Sequence, residues 1–122
     1  MQYLLLIYDP EKTWATMPEA ERNQMFTEYM TFTNDIKTSG HYRAGDALQP
    51  THTATTVRVR DGKMSTTDGP FAETREQLGG YYLVEAKDLD EAIKIGARIP
   101  GAKVGSIEVR PVRMMPKDYP KP

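Results

Sequence analysis

Three features of the chain predict an α+β fold, an antiparallel sheet with helices on one of its faces. The first is the run Tyr3-Leu4-Leu5-Leu6-Ile7-Tyr8, which is apolar at both strand parities. The second is a long stretch after Pro18 in which Met25, Tyr29, Phe32 and Ile36 share one stripe at helical spacing. The third is the order of elements: strand, helix, two or three strands, helix, strand. Two helices in that order pack on the same side of an antiparallel sheet, the ferredoxin-like plan.

The chain has 122 residues, room for one domain, and at that size it buries roughly 65–70% of the surface its unfolded state exposes. The domain is expected over residues 1–113. The remaining 114–122, rich in proline, read as an irregular tail. There is no cysteine, which excludes disulfides, thiolate metal sites and a cysteine nucleophile. Lys and Arg number 16 against 17 Asp and Glu, for a net charge of −1. That balance argues against a nucleic-acid groove or a patch for anionic membranes. The apolar run at the N-terminus is too short for a signal peptide or a bilayer span. A cytoplasmic protein is the expectation.

Each element follows from local chemistry. Tyr3, Leu5 and Ile7 lie on one face of the first strand, with Leu4, Leu6 and Tyr8 on the other, so both faces expect cover. Pro18 suits the first turn of the long helix, Glu19 and Glu21 favour its positive end, and Gly40 supplies the stop. The stretch Thr55–Arg60 alternates, and Asp61-Gly62 is a strong signal for a two-residue hairpin turn with positive φ at both positions. Lys63 to Thr67 returns as the partner strand. Gly79 to Ala86 reads as the next strand, with Tyr81 and Tyr82 on opposite faces. Asp88, with Glu91 three residues on, resembles a capping box for a second helix over Leu89 to Ile99, which Pro100 closes. Gly105 to Val112 is the last strand. One helix layer covers one side of this sheet. The apolar residues of the other side predict a homodimer in which two sheets pack face to face.

The segment Asp68-Gly69-Pro70-Phe71, followed by AETREQLGGYYLVEA, resembles the DGPF family, a branch of the YCII-related proteins. So do AGDALQP, TVRVRDG, DLDEAIKIGARIP and GSIEVRPV. The resemblance covers most of residues 1–113. It implies a dimeric α+β barrel built from paired ferredoxin-like units. It also implies a His–Asp pair in a cleft, and Asp9 stands where that Asp is expected. At the place of the histidine stands Glu28, and no histidine occurs between Met1 and Ser39. Family members are commonly encoded near alternative sigma factors, which implies a regulatory association.

The candidate catalytic residues are Asp9, Glu28 and Asp68. Asp9 and Glu28, if the helix crosses the strand end, form a carboxylate pair in which one member acquires a raised pKa; otherwise Glu28 is an exposed residue of the helix. Asp68 either handles a substrate proton or fixes the turn before Gly69-Pro70 through backbone N–H bonds. Phe71 either walls a pocket or anchors its loop. Glu73 and Glu76 converge on a ligand if their turn is helical, and otherwise form a solvated charge run. Tyr82 orients a substrate oxygen or is a buried phenol bonded to backbone. Arg58 either binds an anionic ligand or pairs with a surface carboxylate. Gly79-Gly80 marks a close approach of the backbone to a strand or a ligand. The two histidines, His41 and His52, have no metal-site spacing, and no dinucleotide or phosphate-loop fingerprint is present. These residues lead to two expectations. One is a small-molecule enzyme or ligand-binding protein, working without a cofactor by proton transfer on a small cyclic or aromatic metabolite. The other is a non-catalytic partner of a regulatory protein, such as an alternative sigma factor.

Overall fold

Burial alternates along the first strand, β1 (Gln2–Asp9): Tyr3, Leu5, Ile7 and Asp9 are buried and the residues between them are half-buried. In the computed structural model, which describes residues 1–120, the inward set faces the helices. The outward set, Leu4, Leu6 and Tyr8, lies on the opposite side of the sheet. After β1 come a short helix α1 (Glu11–Thr16) and the long helix α2 (Glu19–Thr38). They are followed by β2 (Tyr42–Ala47), the hairpin strands β3 (Thr55–Arg60) and β4 (Lys63–Asp68), and β5 (Gln77–Glu85). Helix α3 (Leu89–Ala97) and β6 (Ser106–Pro111) complete the chain, with 3-10 turns at Thr51–Thr53 and Pro100–Lys103.

The main sheet is antiparallel throughout, in the order β2-β5-β1-β6. The core lies between this sheet and the helices: Leu5, Ile36, Val84 and Ile99 are its largest fully buried side chains. The ring of Phe32 on α2 meets Tyr82 edge-on, with centroids 5.2 Å apart. The stripe expected on α2 buries Phe32 and Ile36 and half-buries Met25 and Tyr29. Phe26 and Met30, beside the stripe, stay exposed. The helix ends where Gly40 turns to φ +83°. His41 N–H then bonds the Ile36 carbonyl and Gly40 N–H the Lys37 carbonyl, the glycine-terminated closure that satisfies last-turn acceptors. At α3 the Asp88 carboxylate accepts the Glu91 N–H at 2.9 Å, and Glu91 Oε1 reaches back to the Lys87 N–H at 3.0 Å.

Two features depart from the sequence expectation. The hairpin β3–β4 is a separate two-stranded ribbon and not part of the main sheet. Asp61 (φ 51°) and Gly62 (φ 73°) make its turn as expected. Its residues are almost all exposed, Val57, Val59 and Met64 included, so their apolar character has no core to join. The sheet edge is instead β2, which carries Gly45 and Asp46 and shows no alternation. Gly45 is required there, because a Cβ would stand 2.8 Å from Tyr82 Cδ1. Helix α1 is the second departure: six residues with no apolar stripe, held in place by the contacts described below.

On the helix-free face, cross-strand neighbours form two rows. One runs Ala44, Leu83, Leu4, Arg110, and the next Asp46, Tyr81, Leu6, Glu108. Leucines occupy the middle of this face. Polar groups flank them: Tyr81 O–H donates to Asp46 at 2.7 Å, and Arg110 pairs with Glu108 at 3.5 Å. Residues 112–120 carry no helix or strand, and the last two residues of the tail, Lys121 and Pro122, lie outside the described residues. No described helix is long and apolar enough to cross a membrane.

Candidate functional site

Strand parity places Asp9 among the core-facing residues, yet it is a carboxylate. It is 7% exposed, and among the described residues it is the one buried charged side chain. Isolated burial of a carboxylate is costly, so its surroundings decide what it can do. Pro10 ends the strand, α1 begins at once, and Trp14 comes back over the strand end to donate its indole Nε1–H to Asp9 Oδ2 at 3.1 Å. Two glycines fit against the carboxylate from other elements. At Gly105 a Cβ would lie 2.0 Å from the Tyr8 carbonyl oxygen and 2.9 Å from Asp9 Cα, so only glycine lets the start of β6 pass the end of β1. At Gly79, the residue of β5 left without a partner at the register shift against β1, a Cβ would sit 3.5 Å from Asp9 Oδ1. The missing side chain leaves that oxygen without a contact from this position.

Burial raises the Asp9 pKa above the ordinary carboxylate range. The Trp14 hydrogen bond opposes the rise, while the negative charges of Glu76 and Glu11 add to it. A carboxyl in this setting holds its proton to higher pH than a solvated acid and is the stronger base once ionised.

Helix α1 is held at three points. The Glu11 carboxylate accepts from Thr51 N–H at 2.7 Å and Thr51 Oγ1 at 2.9 Å, and the Glu11 N–H donates to Gln77 Oε1 at 2.9 Å. Arg22 Nη2 donates to the carbonyls of Trp14 and Met17, tying α1 to α2. These bonds substitute for the apolar stripe that so short a helix lacks.

Asp9 opens into a cleft of about 880 Å³ between α1, α2, the end of β2 and the Gly79–Tyr82 segment of β5. Sites for small organic ligands commonly measure about 300–1,000 Å³. Its wall includes the aromatic residues Trp14 and Phe26, with ring centroids 5.6 Å apart, Tyr29 and Tyr82, beside the charged Glu11, Lys12 and Arg22. Tyr82 is buried and shares a 2.6 Å hydrogen bond with Thr33; burial raises its pKa. Tyr29 accepts the Gly101 N–H on its hydroxyl at 3.1 Å, and burial pushes its pKa up to about 12, so it remains a phenol in the neutral range.

Of the residues singled out from sequence, Asp9, Tyr82 and the pair Gly79-Gly80 line this cleft together, as does His52. Glu28 is half-buried on α2 and is not among the lining residues, whereas its neighbour Tyr29 is. Asp68 is exposed at the end of β4, paired with Thr55 across the ribbon. The turn after it is held by Gly69, at φ +95°, whose N–H bonds the Ala54 carbonyl and whose carbonyl accepts from Thr56 Oγ1. Phe71 is 81% exposed. Glu73 is exposed and Glu76 half-buried, in a segment that is not helical. Glu76 acts on the site only through its charge, which Asp9 feels. Arg58 is exposed on the ribbon, away from the cleft lining. Trp14, Tyr29 and Glu11 are site residues that the sequence does not single out. Tyr29 falls on the stripe that reads as core, and only its hydroxyl, which requires a partner when buried, hints otherwise.

The YCII-related domain family matches residues 1–116 of the chain. An uncharacterized protein of Rhizobium meliloti (strain 1021) is 33% identical over 116 residues, covering 93% of this chain and 94% of the relative. Among solved structures, the chain resembles 5-chloro-2-hydroxyhydroquinone dehydrochlorinase from Burkholderia phenoliruptrix AC1100, in complex with 2,5-dihydroxybenzoquinone. The TM-score is 0.54 at 14% identity, over 93% of this chain and 94% of the other. At that identity the likeness concerns the fold.

Proposed function

The chain belongs to the YCII-related family, and we propose that its aromatic cleft binds a small cyclic or aromatic metabolite on which Asp9 carries out proton transfer without a cofactor. One observation carries this reading: the single buried carboxylate among the described residues lines an open cleft, with one oxygen held by Trp14 and the other facing a glycine, Gly79. Aromatic walls favour a planar, largely apolar ligand. The dehydrochlorinase, bound to the planar ring of 2,5-dihydroxybenzoquinone, is compatible with the same choice. Asp9, with its pKa raised by burial, removes a proton from the bound ring and returns it at a second position. The sheet face that carries Leu4, Leu6 and Leu83 packs against a second copy, giving a homodimer with the two clefts on its outside.

The test is a thermal-shift screen of wild type and Asp9→Asn against phenols, hydroquinones and cyclic enones. A ligand at a hundred times its Kd adds about 2.7 kcal/mol to stability. A ring compound that raises the wild-type midpoint, with a smaller rise in the variant, supports the reading. Absence of any shift with the wild type across these classes removes it.

A further inference from the structure

We propose that Tyr29 is the second catalytic group of the cleft, a neutral hydrogen-bond donor that stabilises negative charge on a substrate oxygen while Asp9 handles the proton. The inference rests on the cleft being a proton-transfer site, and it assigns the part of the chemistry that Asp9 cannot perform.

Three observations converge on Tyr29. Tyr29 lines the cleft, and the charge of Asp9 is felt at its hydroxyl. Its oxygen already accepts a hydrogen bond, from the Gly101 N–H in the 3-10 turn Pro100–Lys103. Its own O–H is given to no protein acceptor among the described residues, unlike Tyr81, which donates to Asp46, and Tyr82, which is engaged with Thr33. A phenol that accepts from a backbone amide is polarised toward donating, because hydrogen bonds in a chain strengthen one another. The close approach depends on Gly101, where a Cβ would stand 2.6 Å from the Tyr29 hydroxyl. Glycine is the residue that lets the phenol reach the amide.

The step balances without a further reactant. Ionised Asp9 takes a proton from a ring carbon next to a carbonyl. The C–H electron pair forms a C=C bond, and the carbonyl π pair moves to its oxygen, which Tyr29 holds by its O–H. The protonated Asp9 then returns the proton to the other end of the conjugated system, and the carbonyl reforms. Tyr29 keeps its proton throughout, as its high pKa requires.

The experiment uses 4-nitrophenol as probe, since its absorbance separates phenol from phenolate, and follows the pH at which the bound probe ionises. Removing a donor from the phenolate oxygen should raise that pH in Tyr29→Phe by about one unit, a tenfold change in the bound equilibrium. Removing the neighbouring negative charge should lower it in Asp9→Asn. Tyr29→Phe also leaves the Gly101 N–H without its partner, so a lower melting temperature is expected whatever the role. Only the ionisation shift reports donation to the ligand. Gly101→Ala, which pushes the phenol away from its amide while keeping the hydroxyl, should move the ionisation in the same direction as Tyr29→Phe. If Asp9→Asn shifts the probe and both of the other variants match the wild type, Tyr29 is structural and the inference fails while the cleft reading stands. If the wild type shows no saturable binding of the probe, both fall.

Discussion

The indole of Trp14 donates to the buried carboxylate of Asp9 across 3.1 Å, five residues along the chain and through the turn of a six-residue helix. This bond is the one contribution that favours the charged form of Asp9, against burial and the charges of Glu76 and Glu11. It therefore sets how far the Asp9 pKa rises and where its second oxygen points.

Trp14→Phe should raise the Asp9 pKa further while keeping most of the aromatic wall. A hydrogen bond to a charged group contributes about 1.5–3 kcal/mol, so a shift of roughly one to two pH units upward is expected. Titration of the Asp9 carboxyl carbon by NMR measures it directly. An unchanged midpoint would mean that the indole positions the carboxylate without stabilising its charge.

The same carboxylate should reduce the stability of the fold at neutral pH. Its folded pKa is raised above the unfolded value, so the folded state binds the extra proton, and stability falls as pH rises from the unfolded pKa through the folded one. Asp9→Asn removes that penalty and retains an amide oxygen for Trp14. Its melting temperature should exceed the wild type's at pH 7, each 1 kcal/mol appearing as roughly 4 °C in a chain of this size. The advantage should vanish in acid, below the unfolded pKa, where Asp9 is protonated in both states. A variant less stable than wild type at pH 7 contradicts this account. Stability given up at a functional group is a common trade.

Glu11 links the start of α1 to the 3-10 turn Thr51–Thr53 and to the start of β5, with its carboxylate on Thr51 and its N–H on Gln77. Glu11→Ala removes both carboxylate bonds and should cost about 2 kcal/mol. The loss should be local in exchange experiments, with the Thr51 amide losing its protection while the amides of β1 and β5 keep theirs. Uniform loss of protection would instead show that α1 is integral to global folding.

How much of this was legible in the residues differs by element. The unbroken apolar run from Tyr3 to Tyr8 announces β1, and Asp61-Gly62 announces its turn by backbone need alone, because both signals are local. The position of the ribbon β3–β4 is not local. Val57 and Val59 alternate as in a core strand, yet their partners, Thr66 and Met64, lie in the same exposed hairpin. Nothing in the alternation reveals what, if anything, covers a face. Strand β2 was unreadable for the opposite reason: Gly45 is there to admit the Tyr82 ring, a contact made by a residue far along the chain. Within the site, Asp9 is marked by the resemblance to the YCII-related proteins, which implies an Asp at the end of the first strand. Trp14 and Tyr29 did not, since an isolated tryptophan and a tyrosine on a helical stripe both read as packing until their polar atoms find partners.

Gly105→Ala tests the closeness of β6 to the strand end that carries Asp9. A Cβ there would overlap the Tyr8 carbonyl oxygen at 2.0 Å and crowd Asp9 Cα and Cβ at 2.9 Å, contacts with backbone that no rotamer change relieves. The cost should be about 3 kcal/mol, at the upper end of overpacking. Denaturant unfolding measures that loss, and the NMR shifts of Tyr8, Asp9 and Trp14 should move together. Near-wild-type stability would show that the two segments separate readily, and that the floor of the cleft is less fixed than these contacts require.

The two rows of the helix-free face lead to the last prediction. Leu6 lies in the second row between Tyr81 and Glu108, and Leu4 in the first between Leu83 and Arg110. A single sheet with half-buried leucines along its centre forgoes apolar burial that a second copy would supply, at about 25 cal/mol for each Å² covered. If two copies meet on a two-fold axis, every substitution on this face enters the interface twice. Leu6→Arg then places two uncompensated cations in an apolar contact. At about 2 kcal/mol each, dimer affinity should fall roughly a thousandfold. Light scattering should find a dimer for the wild type and a monomer for Leu6→Arg, with circular dichroism unchanged because the Leu6 side chain faces away from the core. Glu108→Ala, at the polar border of the same face, should weaken the dimer by less than tenfold, as rim charges do. A wild type that is monomeric at high micromolar concentration overturns the pairing, and the leucines of this face would then need another partner.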